Sequence, residues 1–197
     1  MRIGLLGPTD DDAAFREAAL FLLGDAEADQ VVFLGEGATA ERAIRAWSAE
    51  LGADPEAAFL DRAAALAPSG TPQELFALLE QDAEVARLTA IRKLPPAPAR
   101  AVEMLDDRMV LFVHDKAILD EEDIANAHLI VYGKASEADL RRFGRRAFFT
   151  PGPLAAGRVG VLESSEDGVT VSLYDLSGVP LWREALAQAA TKVTVVQ

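Results

Sequence analysis

Short apolar runs and a helical pattern alternate at the start of the chain. Residues 3–6 form an apolar run that ends at Gly7 and Pro8, and residues 30–35 form a second one. Between them, apolar residues recur at the spacing of one buried helix face; they are Phe15, Ala18, Ala19, Leu22 and Leu23. A strand, a helix and a second strand in this order predict a parallel sheet.

The segment 38–88 is predicted to be entirely helical. One face of its first helix carries Ala43, Ile44, Trp47 and Leu51. Capping signals predict where two further helices start: Asp54 followed by Pro55, and Thr71 followed three residues later by Glu74. Because Trp47 is a large aromatic residue on an added helical segment, this segment is also a candidate partner surface.

From about residue 101 the pattern changes to strands. The pair Asp106-Asp107 separates two apolar runs, as in a hairpin, and further runs follow at glycine-containing turns. No linker of any length separates the helical part from the strand-rich part. We therefore expect one domain, residues 1–197, built on two sheets.

Composition narrows the range of partners and compartments. The chain has 19 basic and 32 acidic residues and a net charge of −13, so nucleic acid and anionic membranes are not expected to bind it. It has no cysteine, which excludes disulfides and thiolate sites. No apolar stretch approaches the roughly 20 residues that span a bilayer, and residues 1–6 do not resemble a leader segment. A cytoplasmic protein is the expectation.

Two local patterns near the first strands could indicate a site. The aspartates at positions 10–12 follow a buried strand, where metal or phosphate sites often lie, but acids there also cap helices. Gly35, Gly37 and Ala40 match a dinucleotide-binding turn. However, Glu36 would place a carboxylate beside the pyrophosphate and more helix follows, so an ordinary strand-to-helix turn is the better interpretation.

One basic cluster stands out in this acidic chain. It consists of Arg141, Arg142, Arg145 and Arg146, around Phe143 and Gly144. Two interpretations fit the cluster: a solvated hairpin that balances nearby acids, or a contact for an anion or an acidic partner.

Placed in order, the strand ends resemble the motifs of one family. They are MRIGLLGPTDDD, VVFLGEG, LFVHDK, AHLIVYGKAS and FFTPGPLAAGR. In this order they are similar to the motifs of the calcineurin-like metallophosphoesterase superfamily, in its small single-domain YfcE/Vps29-like branch. The resemblance implies an α/β fold in which helices flank a two-sheet sandwich, in four αββα layers, with residues 38–88 as a helical elaboration.

The same resemblance implies that most of the family's metal ligands have been replaced. The vestigial site positions that it implies, with one histidine ligand kept as His114, are Pro8, Asp10, Glu36, His114, Lys116, Lys134 and Ser136. The whole chain has only two histidines, so a different alignment could not restore the ligands. Two-metal catalysis needs both ions; we expect no bound metal, no cofactor and no catalytic residues.

A catalytically inactive protein that serves as a protein-interaction scaffold is therefore the leading hypothesis, with an unknown protein partner. The branch contains Vps29, which implies that the fold can take such a role. One alternative is a phosphoesterase with a single cation on Asp10, Glu36 and His114. Another is a binder of a small anion in the emptied pocket, through Lys116, Lys134 and the arginine cluster. We also expect Lys134 to form a salt bridge with Glu36 or Asp10 in place of the metals.

Overall fold

The computed structural model describes residues 1–51, 59–165 and 168–187. The first half contains β1 (Arg2–Leu6), α1 (Asp12–Leu23), β2 (Gln30–Phe33), α2 (Thr39–Glu50), α3 (Phe59–Leu66), α4 (Pro72–Thr89) and β3 (Ile91–Lys93). The second half contains β4 (Ala101–Leu105), β5 (Arg108–Val113), α5 (Glu121–Asn126), β6 (Leu129–Tyr132), β7 (Asp139–Phe143), β8 (Arg146–Thr150), β9 (Arg158–Ser165), β10 (Gly168–Asp175) and β11 (Pro180–Ala187). Short 3₁₀ turns lie at Lys116–Ile118 and Leu154–Ala156.

The strands form two sheets. One has the order β11-β10-β9-β1-β2-β3 and the other the order β4-β5-β6-β8-β7. The predicted parallel pairing of β1 with β2 is confirmed, and β5, β6 and β8 also run parallel to one another. In each sheet, the loops that follow these parallel strands therefore lie together at one edge.

The two sheets share a core, and helices cover their outer faces. Between the sheets, Ile3 and Leu5 of one pack with Phe112, Val131 and Phe149 of the other. The outer face of the first sheet packs on α1 and α2, while the outer face of the second packs on α5 and the turn before it. This is the expected two-sheet sandwich with flanking helices, and the described helices at 39–50, 59–66 and 72–89 form the elaboration.

The helix starts follow local capping chemistry. The Asp11 carboxylate accepts hydrogen bonds from the backbone of Ala13 and Ala14 at 2.9 and 3.1 Å, so it is the N-cap of α1. Thr71 and Glu74 form the predicted capping box of α4. The predicted cap at Asp54 and Pro55 lies outside the described residues.

Trp47 does not form a partner surface. Trp47 lies on α2, is only 3% exposed and packs in the core shared with α1. The Arg16 guanidinium of α1 covers its ring at 5.1 Å. The amphipathic face that carries Trp47 is therefore a core face that α1 covers, and a partner surface elsewhere on the helical segment stays a prediction.

The side chain of Arg142 links the edge strand of one sheet to the edge strand of the other. Arg142 of β7 donates a hydrogen bond to the Ala185 carbonyl of β11 at 2.8 Å and pairs with the neighbouring Glu184.

No helix in the described part of the chain is long and apolar enough to cross a membrane.

Candidate functional site

The loops after β1, β2, β5 and β6 meet at one end of the sandwich. Their glycines allow this close approach: a Cβ at Gly133 would lie 2.1 Å from the Leu34 carbonyl oxygen. At Gly7 it would lie 1.8 Å from the carbonyl oxygen of Gly152, in the loop after β8. Because no side chain fits at either place, the glycines let the backbones of both sheets converge on one site.

His114 and Glu36 come together in this site, as the motif order implied. The Nδ1 of His114 lies 2.8 Å from the Leu34 carbonyl oxygen, which can only accept a hydrogen bond, so Nδ1 carries the proton. The Nε2 of His114 faces the Glu36 carboxylate at 3.7 Å. The imidazole is thus held across the junction of the two sheets by a backbone carbonyl.

Lys134 pairs with Asp115, and the predicted salt bridge to Glu36 or Asp10 was wrong. Its ammonium lies 2.6 Å from the Asp115 carboxylate. This hydrogen bond lowers the pKa of Asp115, helped by a hydrogen bond from the Ala117 amide, and it raises the pKa of Lys134. Lys134 pairs with Asp115 because the 3₁₀ turn that Asp115 caps fixes its carboxylate directly opposite the Lys134 ammonium.

Asp115 is the site residue that the sequence analysis missed. It follows His114 directly, at the end of a buried parallel strand, and that position was the available signal. The cation at the other altered histidine position, Lys116, does not enter an ion pair in the described part of the chain. Its ammonium lies 4.5 Å from the centre of the Tyr132 ring.

The remaining vestigial positions lie at the margin of the site. The carbonyl of Pro8 accepts a hydrogen bond from the Leu154 amide at 3.0 Å, so this residue has a structural role in the loop. Asp10 and Ser136 are exposed. Asp12 lies in the first turn of α1 and pairs with Arg42 at 2.9 Å, which confirms that Asp11 and Asp12 belong to the helix start.

A cleft of about 410 Å³ opens beside His114. One wall consists of residues 35–37 and 114–115, and the other consists of residues 93–97, Ala99 and Ile118. Lys93 lines the rim of this cleft, and its ammonium pairs with the Glu41 carboxylate. The proline-containing wall belongs to the segment that joins β3 to β4.

Structural comparison identifies the fold, although sequence comparison does not. No protein-family model matches the chain, and no curated protein matches it in sequence. Among solved structures, YfcE, a phosphoesterase from E. coli, aligns with a TM-score of 0.53 at 16% identity over 94% of this chain and 100% of its own. Vps29 from Chaetomium thermophilum aligns with a TM-score of 0.54 at 10% identity over 98% and 99%. A protein described as a novel archaeal phosphodiesterase gives 0.53 at 14% identity over 88% and 100%.

The chain has the calcineurin-like metallophosphoesterase fold. The YfcE/Vps29-like resemblance of the sequence is thereby confirmed at the level of fold. The site described above occupies the end of the sandwich where the resemblance placed the metal ligands.

The residues present do not fit the two metal ions of a metallophosphoesterase. Among the described residues, no three histidine or carboxylate side chains form a group that could hold a metal ion. Two of the positions that the resemblance assigns to metal ligands carry the cations Lys116 and Lys134. Asp10 forms no such group with Glu36 and His114 among the described residues, so these three side chains are not gathered as the single-cation alternative expected.

The arginine cluster lies at the opposite end of the second sheet. Arg145 directly precedes β8 and Arg146 is its first residue, whereas Lys134 follows the neighbouring parallel strand β6. The five residues of β8 separate the two ends by about 16 Å. A single anion in the emptied pocket therefore cannot contact both the lysines and the cluster, and that part of the alternative was wrong.

Proposed function

We propose that this metallophosphoesterase-like protein has no phosphoesterase activity and acts as a protein-interaction scaffold. The observation that carries the proposal is the ion pair between Lys134 and Asp115 in the former metal site. An ammonium held there by a carboxylate neither polarises a phosphoryl oxygen nor lowers the pKa of a bound water, as a metal ion does.

A surface on α4 supports the scaffold role. The helix buries Val85 and Leu88 on one side, whereas Phe76 and Leu79 on another side are 62% and 55% exposed. Leu75 and Pro72 extend the same exposed stripe. Apolar side chains grouped in this way on a surface mark a site for another protein.

The charges beside this stripe indicate what kind of partner it would take. Glu80 lies one helical turn after Phe76, and Glu84 lies one turn after Glu80. Of the two, only Glu84 has an ion-pair partner among the described residues, Arg87 at 2.7 Å. In a chain of net charge −13, the complementary surface is an apolar helix face flanked by lysine or arginine.

The activity is tested with bis(p-nitrophenyl) phosphate in the presence of manganese, nickel or zinc. We expect no turnover above the buffer rate with any of the three metals. A metal-dependent rate that His114→Ala abolishes would show that the former site is an active one.

The scaffold role is tested by capture from the native cell with wild type and two matched variants. Phe76→Ser and Phe143→Ser remove aromatic rings of nearly equal exposure, 62% and 60%, from different surfaces. A specific partner should be lost with Phe76→Ser and kept with Phe143→Ser. Equal capture by all three proteins would refute the docking surface on α4.

A further inference from the structure

The turn between β7 and β8 forms one wall of a pocket at the end of the second sheet away from the former metal site. The opposite wall is the segment that joins α5 to β6. The concavity measures about 350 Å³ and is lined by residues 125–128 and 143–146, which we name the hairpin pocket. This volume lies at the small end of the range for ligand clefts.

The lining of the hairpin pocket is basic although the chain is acidic. Its polar side chains are Arg145, Arg146, His128 and Asn126, and it contains no carboxylate. The whole chain has 32 acidic against 19 basic residues. A concave surface free of acids and holding two guanidinium groups therefore creates a local positive field that opposes the charge of the rest of the molecule.

Two of the four arginines in the hairpin of β7 and β8 are neutralised by neighbours, and they lie outside the pocket. Arg141 pairs with Asp139 at 2.6 Å, and Arg142 pairs with Glu184. By contrast, Arg145 forms no ion pair with any residue that the structure describes. Arg146 donates to the Ala125 carbonyl at 3.2 Å, which fixes its guanidinium without cancelling its charge.

The imidazole in the lining presents a donor as well. The Nδ1 of His128 accepts the Met109 amide hydrogen at 3.1 Å, so the ring proton of the neutral form is on Nε2. Asn126 adds an amide. These groups and the two guanidiniums supply N–H donors in one small concavity, which is the chemistry that recognises a phosphate group.

An aromatic ring stands at the rim. Phe143 is 60% exposed and makes a T-shaped contact with Phe148, with 5.5 Å between ring centres. The exposed part of the Phe143 ring can therefore meet a flat apolar group of a ligand.

We propose that the hairpin pocket binds a small phosphate monoester, with Arg145 and Arg146 on the phosphate and Phe143 against a ring in the ester group. This site is separate from the former metal site and does not depend on the proposed scaffold role. The ligand would carry a dianionic phosphate group for the arginines and a flat apolar group for Phe143.

Phenyl phosphate is the probe, followed by two-dimensional NMR of the full chain labelled with ¹⁵N. We expect saturable shifts for the amides of residues 125–128 and 143–146. Arg145→Gln should weaken binding about tenfold, since one charge-assisted contact is lost. Arg141→Gln removes the same charge from the same hairpin but outside the pocket, and it should leave the dissociation constant within about twofold.

Methyl phosphate tests the aromatic contact. Phe143→Ala should weaken binding of phenyl phosphate and leave binding of methyl phosphate unchanged. Equal losses in Arg141→Gln and Arg145→Gln would indicate attraction by general charge and overturn the proposal, as would shifts confined to residues 34–37 and 114–116. Release of phenol during the titration would instead refute the proposed lack of activity, and the two failures are therefore distinguishable.

Discussion

The Lys134 ammonium and the Asp115 carboxylate lie 2.6 Å apart, each just beyond the end of its strand, with β5 and β6 adjacent and parallel. The pair sits where the metallophosphoesterase fold would otherwise gather metal ligands. The two residues come from adjacent loops, so the charges of Lys134 and Asp115 are balanced by each other within the protein. Both the pH dependence and the mutational response of the site follow from this arrangement.

Stability should depend on Asp115 at neutral pH and not in strong acid. Its pKa is lowered in the folded protein, so its contribution is present above the ordinary value of 3.8 and is lost as the pH falls through the folded value. Urea unfolding at about pH 7 and about pH 2 should show Asp115→Asn less stable than wild type only at the higher pH. Lys134 contributes to stability at the alkaline end of the pH range. Its pKa is raised in the folded protein, so this contribution is lost as the pH rises through the folded value, above 10.5.

The effect should be small, because Lys134 is 66% exposed and solvent screens the pair. Asp10→Asn is the matched control, since Asp10 is exposed and forms no ion pair within the described part of the chain. An equal loss of stability in the two variants at neutral pH would contradict the assigned role of Asp115.

Gly133→Ala should disrupt the junction of the two sheets. The new Cβ would lie 2.1 Å from the Leu34 carbonyl oxygen, and backbone atoms on both sides would have to move. We expect a loss of about 1–3 kcal/mol or more in the free energy of unfolding. Gly4→Ala, whose Cβ would meet only the Leu22 side chain at 3.0 Å, should cost less. A larger loss for Gly4→Ala would contradict the close approach of the loops.

Phe149→Ala should destabilise both sheets together. Phe149 is fully buried between them and contacts Trp182 edge-on, with 5.7 Å between ring centres. We expect a loss of roughly 3–5 kcal/mol and one unfolding transition by every probe, as residues 1–197 are proposed to be a single domain. Phe76→Ala, on the exposed stripe, serves as the control and should change stability little. Two separate transitions in Phe149→Ala would argue for two domains.

Thr71→Ala should weaken the start of α4. The Thr71 amide donates to the Glu74 carboxylate at 2.7 Å, and the Glu74 amide donates to the threonine hydroxyl at 3.3 Å. Loss of the hydroxyl should cost about 1 kcal/mol by chemical denaturation. Thr71→Ser keeps the hydroxyl and should restore most of this stability. A serine variant as unstable as the alanine variant would indicate a packing effect instead.

Local signals were sufficient to predict much of the fold. The caps at Asp11 and Thr71 depend on residues two or three positions away, so the sequence determines them directly. The parallel pairing of β1 and β2 follows from the strand–helix–strand pattern. Trp47 shows the limit: its spacing indicated an apolar face, but only the packing of α1 decided that the face is buried.

The site was less predictable because its pairs form between loops. The choice of Lys134 between Glu36 and Asp115 depends on a 3₁₀ turn whose geometry no short sequence pattern specified. The separation of the arginine cluster from the lysines was, however, readable in principle. Lys134 follows one apolar strand and Arg146 begins the next, so parallel strands place them at opposite ends.

The contact between Arg142 and the Ala185 carbonyl bears on self-association. Both residues lie on outermost strands, β7 and β11, and an outermost strand with free backbone groups is a template onto which another chain can add a strand. A foreign strand approaching this carbonyl of β11 would have to displace a guanidinium that Glu184 also holds in place. Arg142 thus occupies a backbone acceptor on the edge of β11, and its loss would leave this acceptor open to an incoming strand.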